Sequence, residues 1–261
     1  MKPISGATRV VALLGHPVRH SRSPALHNGW FAAQGIDAVY VALDAPPDTD
    51  AAAVVRAGLW GANLTIPLKR TVIDRVDRLE ADAEAAGAVN TLYWSGDQLV
   101  GANTDIGGWE ADALRHGPLT GRHAVILGGG GAAMAVALAL GRQRAASVHV
   151  ANRSACDELV QRLAAAAPGL RVTQGPLTDD ALTGADLVVN ALPGAARGAV
   201  EALSHDGMAA EGTWFDLNYW DDSPPGMAQA AARGWATVDG HGMLREQAAL
   251  AYERWVGQPP P

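Results

Sequence analysis

The chain has 261 residues, 48% of them apolar and 18% charged, a composition typical of a globular protein with one or two domains and too apolar for a disordered one. Its formal charge of −7 argues against nonspecific binding to nucleic acid or anionic membranes, and its one cysteine, Cys156, excludes an intramolecular disulfide. No apolar run has the length of a signal peptide or a membrane span, so we expect a cytoplasmic enzyme.

The first half of the sequence alternates apolar runs with helical stretches. Strands are predicted at residues 10–14, 38–43 and 61–66. Helices are predicted from Ser23, as N-cap, to about residue 34, over 51–57, from Pro67 onward, and over 81–86. Residues 91–94 and 98–102 flank Ser95-Gly96-Asp97 as a hairpin. This order predicts an open, mostly parallel sheet covered by helices.

The second half begins a new α/β unit. Strands are predicted at residues 123–127, 147–150, 171–173, 186–190 and 213–216, and helices over 132–141, 157–166 and 243–256. The first domain boundary is placed near Asp105. The last helix is expected to return to the first domain.

A run of four glycines, residues 128–131, separates the predicted strand at 123–127 from a helix. Glycines at this junction let a diphosphate approach the backbone, and the helix N-terminus supplies free N–H groups. Ala132 and Ala133 keep the helix close to the sheet. The run therefore predicts dinucleotide binding, and the alternative is a tight turn without a ligand.

The next strand ends in Asn152-Arg153-Ser154, where NAD-binding units usually carry a carboxylate for the ribose. A carboxylate would repel a 2′-phosphate, whereas a guanidinium binds it through charge-assisted hydrogen bonds. The segment favours NADP as the cofactor. The alternative for Arg153 is a solvated surface arginine.

These patterns predict an α/β fold of two domains with a cleft between them. An open α/β/α substrate-binding domain with a mostly parallel sheet is expected to comprise residues 1–104 plus 236–261. A Rossmann-type dinucleotide-binding domain is expected to comprise residues 105–235.

Polar side chains gather at the ends of elements in the first half. Ser21 and Ser23 lie in a loop before a helix, where hydroxyl and N–H donors can hold a carboxylate, although simple capping by Ser23 is the alternative. Lys69 follows a strand end, where ligands of open α/β sheets bind. Asn90 and Asp105 lie in two further polar clusters. Each could be turn chemistry, but together they indicate a polyhydroxylated, anionic small ligand.

Six segments together resemble the shikimate dehydrogenase family across nearly the whole chain: residues 15–24, 63–69, 86–91, 103–105, 152–154 and 240–248. The resemblance implies reversible, NADPH-dependent reduction of 3-dehydroshikimate to shikimate in aromatic amino-acid biosynthesis. It implies that Lys69 and Asp105 form a proton-transfer dyad, which suits hydride chemistry at a secondary alcohol.

The resemblance also implies the binding residues. Those for the ring carboxylate are Ser21, Ser23 and Tyr219, and those for the ring hydroxyls are Thr65, Asn90 and Gln247. Those for the cofactor are Gly128, Gly130, Gly131, Ala132, Asn152, Arg153, Ser154, Asn190, Leu217, Gly240 and Met243.

The chain departs from the family pattern near the cofactor. The family often has a second basic residue after the Asn-Arg-Ser motif, whereas Cys156 and Asp157 follow here. Leu192 and Asn218 also replace more usual residues. A paralogue acting on quinate or an amino analogue of shikimate, with NAD as a candidate cofactor, is therefore an alternative. A second alternative is a non-catalytic metabolite sensor, against which the retention of Lys69 and Asp105 counts.

Three histidines near the N-terminus are not expected to bind a metal. Pro17 and Pro24 keep His16, His20 and His27 from sharing one helix face, and no carboxylate lies at ligand spacing. We expect a small-molecule substrate as the only partner besides NADP, with no nucleic acid and no membrane, and a monomer or homodimer.

Overall fold

The computed structural model describes residues 3–178, 180–219 and 224–261. The chain divides into two compact units, Met1–Thr104 with Arg245–Pro261, and Asp105–Leu244. The substrate and cofactor roles expected for the two domains stay predictions.

The first unit is built on a six-stranded sheet. Its elements, in chain order, are β1 (Arg9–Gly15), α1 (Ser23–Ala33), β2 (Ala38–Asp44), α2 (Ala51–Arg56), β3 (Gly61–Leu64), β4 (Arg78–Leu79), α3 (Ala81–Ala86), β5 (Thr91–Ser95) and β6 (Gln98–Ala102). The strand order is β2-β1-β3-β5-β6-β4. β1 is parallel to β2 and β3, while β5 is antiparallel to β3 and β6, as the predicted hairpin requires. The carboxyl ends of β1, β3 and β6 and the start of β5 therefore lie at one edge of the sheet.

The second unit is built on a six-stranded, fully parallel sheet. The remaining elements are α4 (Thr104–Leu114), β7 (His123–Leu127), α5 (Gly131–Arg142), β8 (Ser147–Ala151), α6 (Asp157–Ala166), β9 (Arg171–Gly175), β10 (Leu187–Asn190), α7 (Arg197–Glu201), β11 (Thr213–Asp216), α8 (Met227–Ala232), β12 (Ala236–Val238) and α9 (His241–Val256). The strand order is β12-β11-β10-β7-β8-β9. The order reverses beside β7, which is where doubly wound sheets bind ligands.

Both faces of the first sheet are buried. Along β1, Ala12 and Leu14 join an apolar cluster on one face, while Val11 and Leu13 join a second cluster on the other. This alternation follows from the two-residue repeat of a strand. Helix α9 supplies Ala248, Ala251, Tyr252 and Trp255 to the second cluster. The last helix therefore completes the core of the first unit, as expected.

The helix predicted from Pro67 is wrong. Residues 66–72 form turns, and a short 3₁₀ helix follows at Ile73–Arg75. The Lys69 carbonyl accepts the Val89 N–H at 2.7 Å, so a neighbouring segment takes the bond that an α-helix would use. The β-branched run Thr71-Val72-Ile73 also disfavours a helix here.

Three helices, α1, α5 and α9, begin one or two residues earlier than predicted. Helix α1 begins at Ser23 with Arg22 as its N-cap, and the Ser21 hydroxyl, not the Ser23 hydroxyl, accepts a backbone N–H, that of Ser23, at 3.3 Å. Helix α9 begins at His241, whose N–H donates to Asp239 Oδ1 at 3.0 Å. Two strands, β4 and β12, and three helices, α4, α7 and α8, have no counterpart in the predicted elements.

Within the described parts of the chain, no helix is both long and apolar enough to cross a membrane.

Candidate active site

Four of the predicted substrate residues of the first unit lie at one edge of its sheet. Ser21 and Ser23 follow β1, Thr65 follows β3, and Asn90 precedes β5. The Thr65 N–H donates to the Leu14 carbonyl at 2.9 Å, which holds the turn after β3 against β1. A side chain at Gly15 would clash with Thr65 Cγ2, so glycine permits this close approach.

Asn90 is the centre of a buried hydrogen-bond network. Its Nδ2 donates to Thr104 Oγ1 at 2.9 Å, and its Oδ1 accepts the Thr104 N–H at 2.8 Å. Thr91 Oγ1 donates to the same Oδ1 at 3.0 Å. The amide thereby fixes the start of α4, where Asp105 is the next residue and is 8% exposed. A satisfied buried network of this kind holds its members in one arrangement.

The network continues into the core through residues that sequence reasoning did not assign a role. Asn63 Nδ2 donates to Thr91 Oγ1 at 3.0 Å and to the Asn90 carbonyl at 3.1 Å. Tyr40 donates its hydroxyl proton to Asn63 Oδ1 at 2.8 Å. Asn63 belongs to the segment 63–69 that carries the family resemblance, but no signal in the sequence linked Tyr40 to it.

Lys69 lies in the turn after β3 and is half-buried. Its carbonyl is bonded to Val89, which directly precedes Asn90. Asp105 follows Thr104, the residue that Asn90 binds. Asn90 thus follows the residue that bonds to Lys69, and its side chain binds the residue that precedes Asp105. Gln247, the remaining predicted residue of this unit, is half-buried on α9.

The glycine run of the second unit has the geometry that a diphosphate needs. Gly128 has a φ of +109°, and a Cβ there would lie 3.3 Å from the Ala191 backbone. No side chain caps α5 at its N-cap, Gly130, and a Cβ at Gly130 or Gly131 would meet no atom within 4 Å. Open space before a 12-residue helix with free first-turn N–H groups fits a dinucleotide phosphate.

The loop after β8 lies against the glycine run. A Cβ at Gly129 would clash with Cys156 Sγ and would lie 3.2 Å from Asn152 Nδ2. Asn152 Nδ2 donates to the Ser154 carbonyl at 3.1 Å, which shapes the turn that carries Arg153. Arg153 and Ser154 are both exposed. A guanidinium and a hydroxyl beside the glycine run fit a phosphorylated ribose.

Three other predicted cofactor residues, Asn190, Leu217 and Gly240, meet at the carboxyl ends of β10 and β11. Asn190 Nδ2 donates to Asp216 Oδ2 at 2.7 Å, and the Leu217 N–H donates to the Asn190 carbonyl at 2.9 Å. A Cβ at Gly240 would clash with the Leu217 carbonyl oxygen, so glycine lets these two segments approach. Met243, predicted for the cofactor, and Tyr219, predicted for the ring carboxylate of the substrate, are half-buried in the same unit.

Asp216 and Asn218 are joined by hydrogen bonds that the sequence did not predict. Asp216 is fully buried, and its Oδ1 accepts both the N–H and the side-chain amide of Asn218, at 2.9 and 2.6 Å. The Asn218 amide also donates to the Leu192 carbonyl at 3.2 Å. Asn218, a departure from the family pattern, therefore joins the loops after β10 and β11.

Among the residues that the structure describes, no group of three or more His, Cys, Asp or Glu side chains could hold a metal ion. His27, one of the three N-terminal histidines, lies in the aromatic core of the first unit.

The chain is similar in sequence and in fold to known proteins. Residues 13–92 match the family model of the shikimate dehydrogenase substrate binding domain. A shikimate dehydrogenase (NADP(+)) of Symbiobacterium thermophilum is 39% identical over 97% of this chain and 90% of its own length.

Two solved structures share the fold along nearly the full chain. The shikimate 5-dehydrogenase of Thermus thermophilus, in complex with NADP(H) and shikimate, has a TM-score of 0.82 and 34% identity, covering 97% of this chain and 95% of its own. The quinate dehydrogenase of Corynebacterium glutamicum, in complex with NAD, has a TM-score of 0.87 and 27% identity, with the same coverage. The motifs at both sheet edges, together with relatives that match almost end to end, show that the chain belongs to the shikimate dehydrogenase family.

Proposed function

We propose that this chain catalyses the reversible, NADP-dependent oxidation of shikimate to 3-dehydroshikimate, in aromatic amino-acid biosynthesis. The observation that carries the proposal is the 39% identity with a shikimate dehydrogenase (NADP(+)) over 97% of the chain. Two local features support it: the polar edge of the first unit and the open glycine run before α5. Most of the proposed substrate residues belong to the first unit, and the proposed cofactor residues belong to the second.

In this proposal Lys69 and Asp105 handle the proton. NADP, when bound, supplies the nicotinamide that accepts a hydride from the alcohol carbon. The Lys69 amine takes the hydroxyl proton as the carbonyl forms and returns it in the reverse reaction. The Asp105 carboxylate orients the amine. Support comes from Val89 and Asn90: the Val89 N–H bonds to the Lys69 carbonyl, and the Asn90 side chain binds Thr104, which precedes Asp105.

The remaining site residues bind and orient. Ser21, Ser23 and Tyr219 hold the ring carboxylate through hydroxyl donors, and Thr65, Asn90 and Gln247 bind the ring hydroxyls. Asn90 combines this role with its bonds to Thr104.

The cofactor contacts divide into three groups. Gly128, Gly130, Gly131 and Ala132 receive the diphosphate at the N-terminus of α5. Asn152, Arg153 and Ser154 read the 2′-phosphate, and Asn190, Leu217, Gly240 and Met243 line the nicotinamide end.

Steady-state kinetics with four substrate pairs test the proposal: shikimate and quinate, each with NADP and NAD. We expect the highest kcat/KM with shikimate and NADP. A higher kcat/KM with quinate or NAD would replace the proposal with the paralogue, an alternative favoured by Asp157 and by the likeness to a quinate dehydrogenase in complex with NAD. Binding of shikimate without turnover of any pair would favour the sensor.

We also propose a cytoplasmic location, because the proposed pathway is one of central biosynthesis, and a monomer or homodimer, which sedimentation at several concentrations would test.

A further inference from the structure

Gln174 on β9 binds two successive residues of the loop after β8. Its Oε1 accepts the Cys156 N–H, and its Nε2 donates to Asp157 Oδ1, both at 2.5 Å. The amide oxygen and the amide nitrogen of one side chain thus both bind the segment where the loop ends and α6 begins. Neither bond belongs to the sheet ladder, so the contact is specific to this side chain.

The same loop is held at its other end by backbone bonds. The Asn152 N–H donates to the carbonyl of Gly175, the residue after Gln174. Cys156, which is 8% exposed, packs its sulfur beside Gly129 and within 3.5 Å of the Ser154 carbonyl. β9 therefore holds residues 152–157 at both ends and leaves Arg153 exposed between them.

Asp157 is the acidic residue that could oppose a 2′-phosphate. It lies four residues after Arg153 in the sequence, at the start of α6, and it is exposed. Its neighbour Glu158 is paired with Arg162 at 3.0 Å, while Asp157 accepts its bond from Gln174. A carboxylate near a dianionic phosphate weakens binding by like-charge repulsion unless its position is restrained.

We propose that Gln174 is a positioning residue that determines cofactor specificity. It holds the 152–157 loop so that Arg153 faces the 2′-phosphate, and it keeps the Asp157 carboxylate engaged on the β9 side. This inference rests on the proposed NADP-dependent function. It explains how an acidic residue is tolerated where the family often has a basic one.

Equilibrium binding of NADP and of NAD tests the proposal, with wild type, Gln174→Met and the matched control Gln161→Met, an exposed glutamine on α6. Gln174→Met keeps the side-chain length and removes both polar ends. We expect a Kd for NADP about five- to tenfold higher and a Kd for NAD changed by less than about twofold, as one lost charge-assisted contact predicts. Gln161→Met should match wild type.

Asp157→Asn separates charge from conformation, because asparagine still offers an oxygen to Gln174. When Asp157→Asn is present, Gln174→Met should raise the Kd for NADP by a smaller factor than it does in the wild-type chain. The reason is that residue 157 then carries no negative charge that could repel the 2′-phosphate. An equal loss in both backgrounds would overturn the role given to Asp157.

The reactivity of the Cys156 thiol reports on the conformation of the loop in the absence of any cofactor. It is the one cysteine of the chain, so its reaction with a disulfide reagent is unambiguous. Gln174→Met should raise the rate of reaction of the Cys156 thiol several-fold, and Gln161→Met should leave this rate unchanged. If Gln174→Met fails to fold, Gln174→Leu takes its place.

The outcomes separate the two proposals. An unchanged ratio of the two Kd values in Gln174→Met overturns this inference and leaves the proposed function standing. A wild-type protein without preference for NADP would instead reject the proposed cofactor.

Discussion

At the scale of single residues, the first unit places polar and titratable side chains deep inside its core. The Asn90 amide and the Tyr40 hydroxyl are both hydrogen-bonded within one network. His27 is different: it is fully buried, and neither ring nitrogen has a hydrogen-bond partner. It stacks on Tyr40 with 4.5 Å between ring centroids and an interplanar angle of 10°. His27 thus acts as an aromatic core residue, and the surrounding rings keep it neutral.

Replacing Lys69 tests the proposed proton transfer. Lys69→Ala should lower kcat for shikimate oxidation by about 10²–10⁴-fold, the usual contribution of a positioned acid–base group. The Kd for NADP should stay the same, because the nucleotide residues belong to the second unit. Lys69→Arg serves as the control, since it keeps the charge but rarely gives up its proton. Wild-type kcat in Lys69→Ala would remove the lysine from this role.

His27 should make stability depend on pH. Burial lowers the pKa of His27 to about 3, from 6.5 in the unfolded chain. Between these two pH values the proton binds His27 only in the unfolded state. The free energy of unfolding is therefore undiminished above pH 6.5, and it falls below that pH by up to about 1.4 kcal/mol per pH unit. The free energy of unfolding, measured with urea at about pH 7 and about pH 5, should differ less between the two pH values for His27→Phe than for wild type. His20→Phe, at an exposed ring, should keep the wild-type difference; an unchanged difference in His27→Phe would contradict the prediction.

At the scale of elements, the sites are formed where strands end. Most predicted strands and helices are confirmed within one to three residues, because apolar runs and glycine stops are local signals. The Pro67 segment was mispredicted because its outcome depends on a bond between the Lys69 carbonyl and Val89, twenty residues along the chain. Strand β4 has only two residues, too few for a periodic signal.

The contact between the glycine run and the loop after β8 predicts a sharp difference between neighbouring glycines. Gly129→Ala would bring its Cβ into a clash with Cys156 Sγ, whereas Gly130→Ala would meet no atom within 4 Å. Overpacking typically costs about 1–3 kcal/mol, so Gly129→Ala should lower the Tm and Gly130→Ala should leave it nearly unchanged. Adding Cys156→Ala to Gly129→Ala should restore the Tm. Equal Tm values for the two alanine variants would argue against the packing.

At the scale of the whole molecule, the C-terminal helix is part of the first unit's architecture. Gly61 leaves space for Trp255, whose Nε1 donates to the Leu92 carbonyl at 2.9 Å. Arg254 makes a two-bond ion pair with Glu80, with N–O distances of 3.0 and 2.6 Å. Residues more than 160 positions apart thus complete one core.

Removing Trp255 should destabilise the protein strongly. Trp255→Ala leaves a cavity beside His27 and Tyr40, and it should lower the free energy of unfolding by about 3–5 kcal/mol. Arg245→Ala, an exposed position on the same helix, should change it by less than about 0.5 kcal/mol. Urea denaturation followed by fluorescence and circular dichroism measures both. A small effect of Trp255→Ala would mean that α9 is not needed for the core.

The α/β class, the glycine run before a helix and the family could all be read along the chain, because each depends on residues adjacent in sequence. The sequence could not predict the Asn90 network, the stacking of His27 on Tyr40 or the hydrogen bond from Gln174 to Asp157. Each joins residues more than ten positions apart, whose meeting depends on strand register and on how helices cover the sheet. Local patterns carry conformational preference, whereas the pairing of distant polar groups is settled by which of them are buried together.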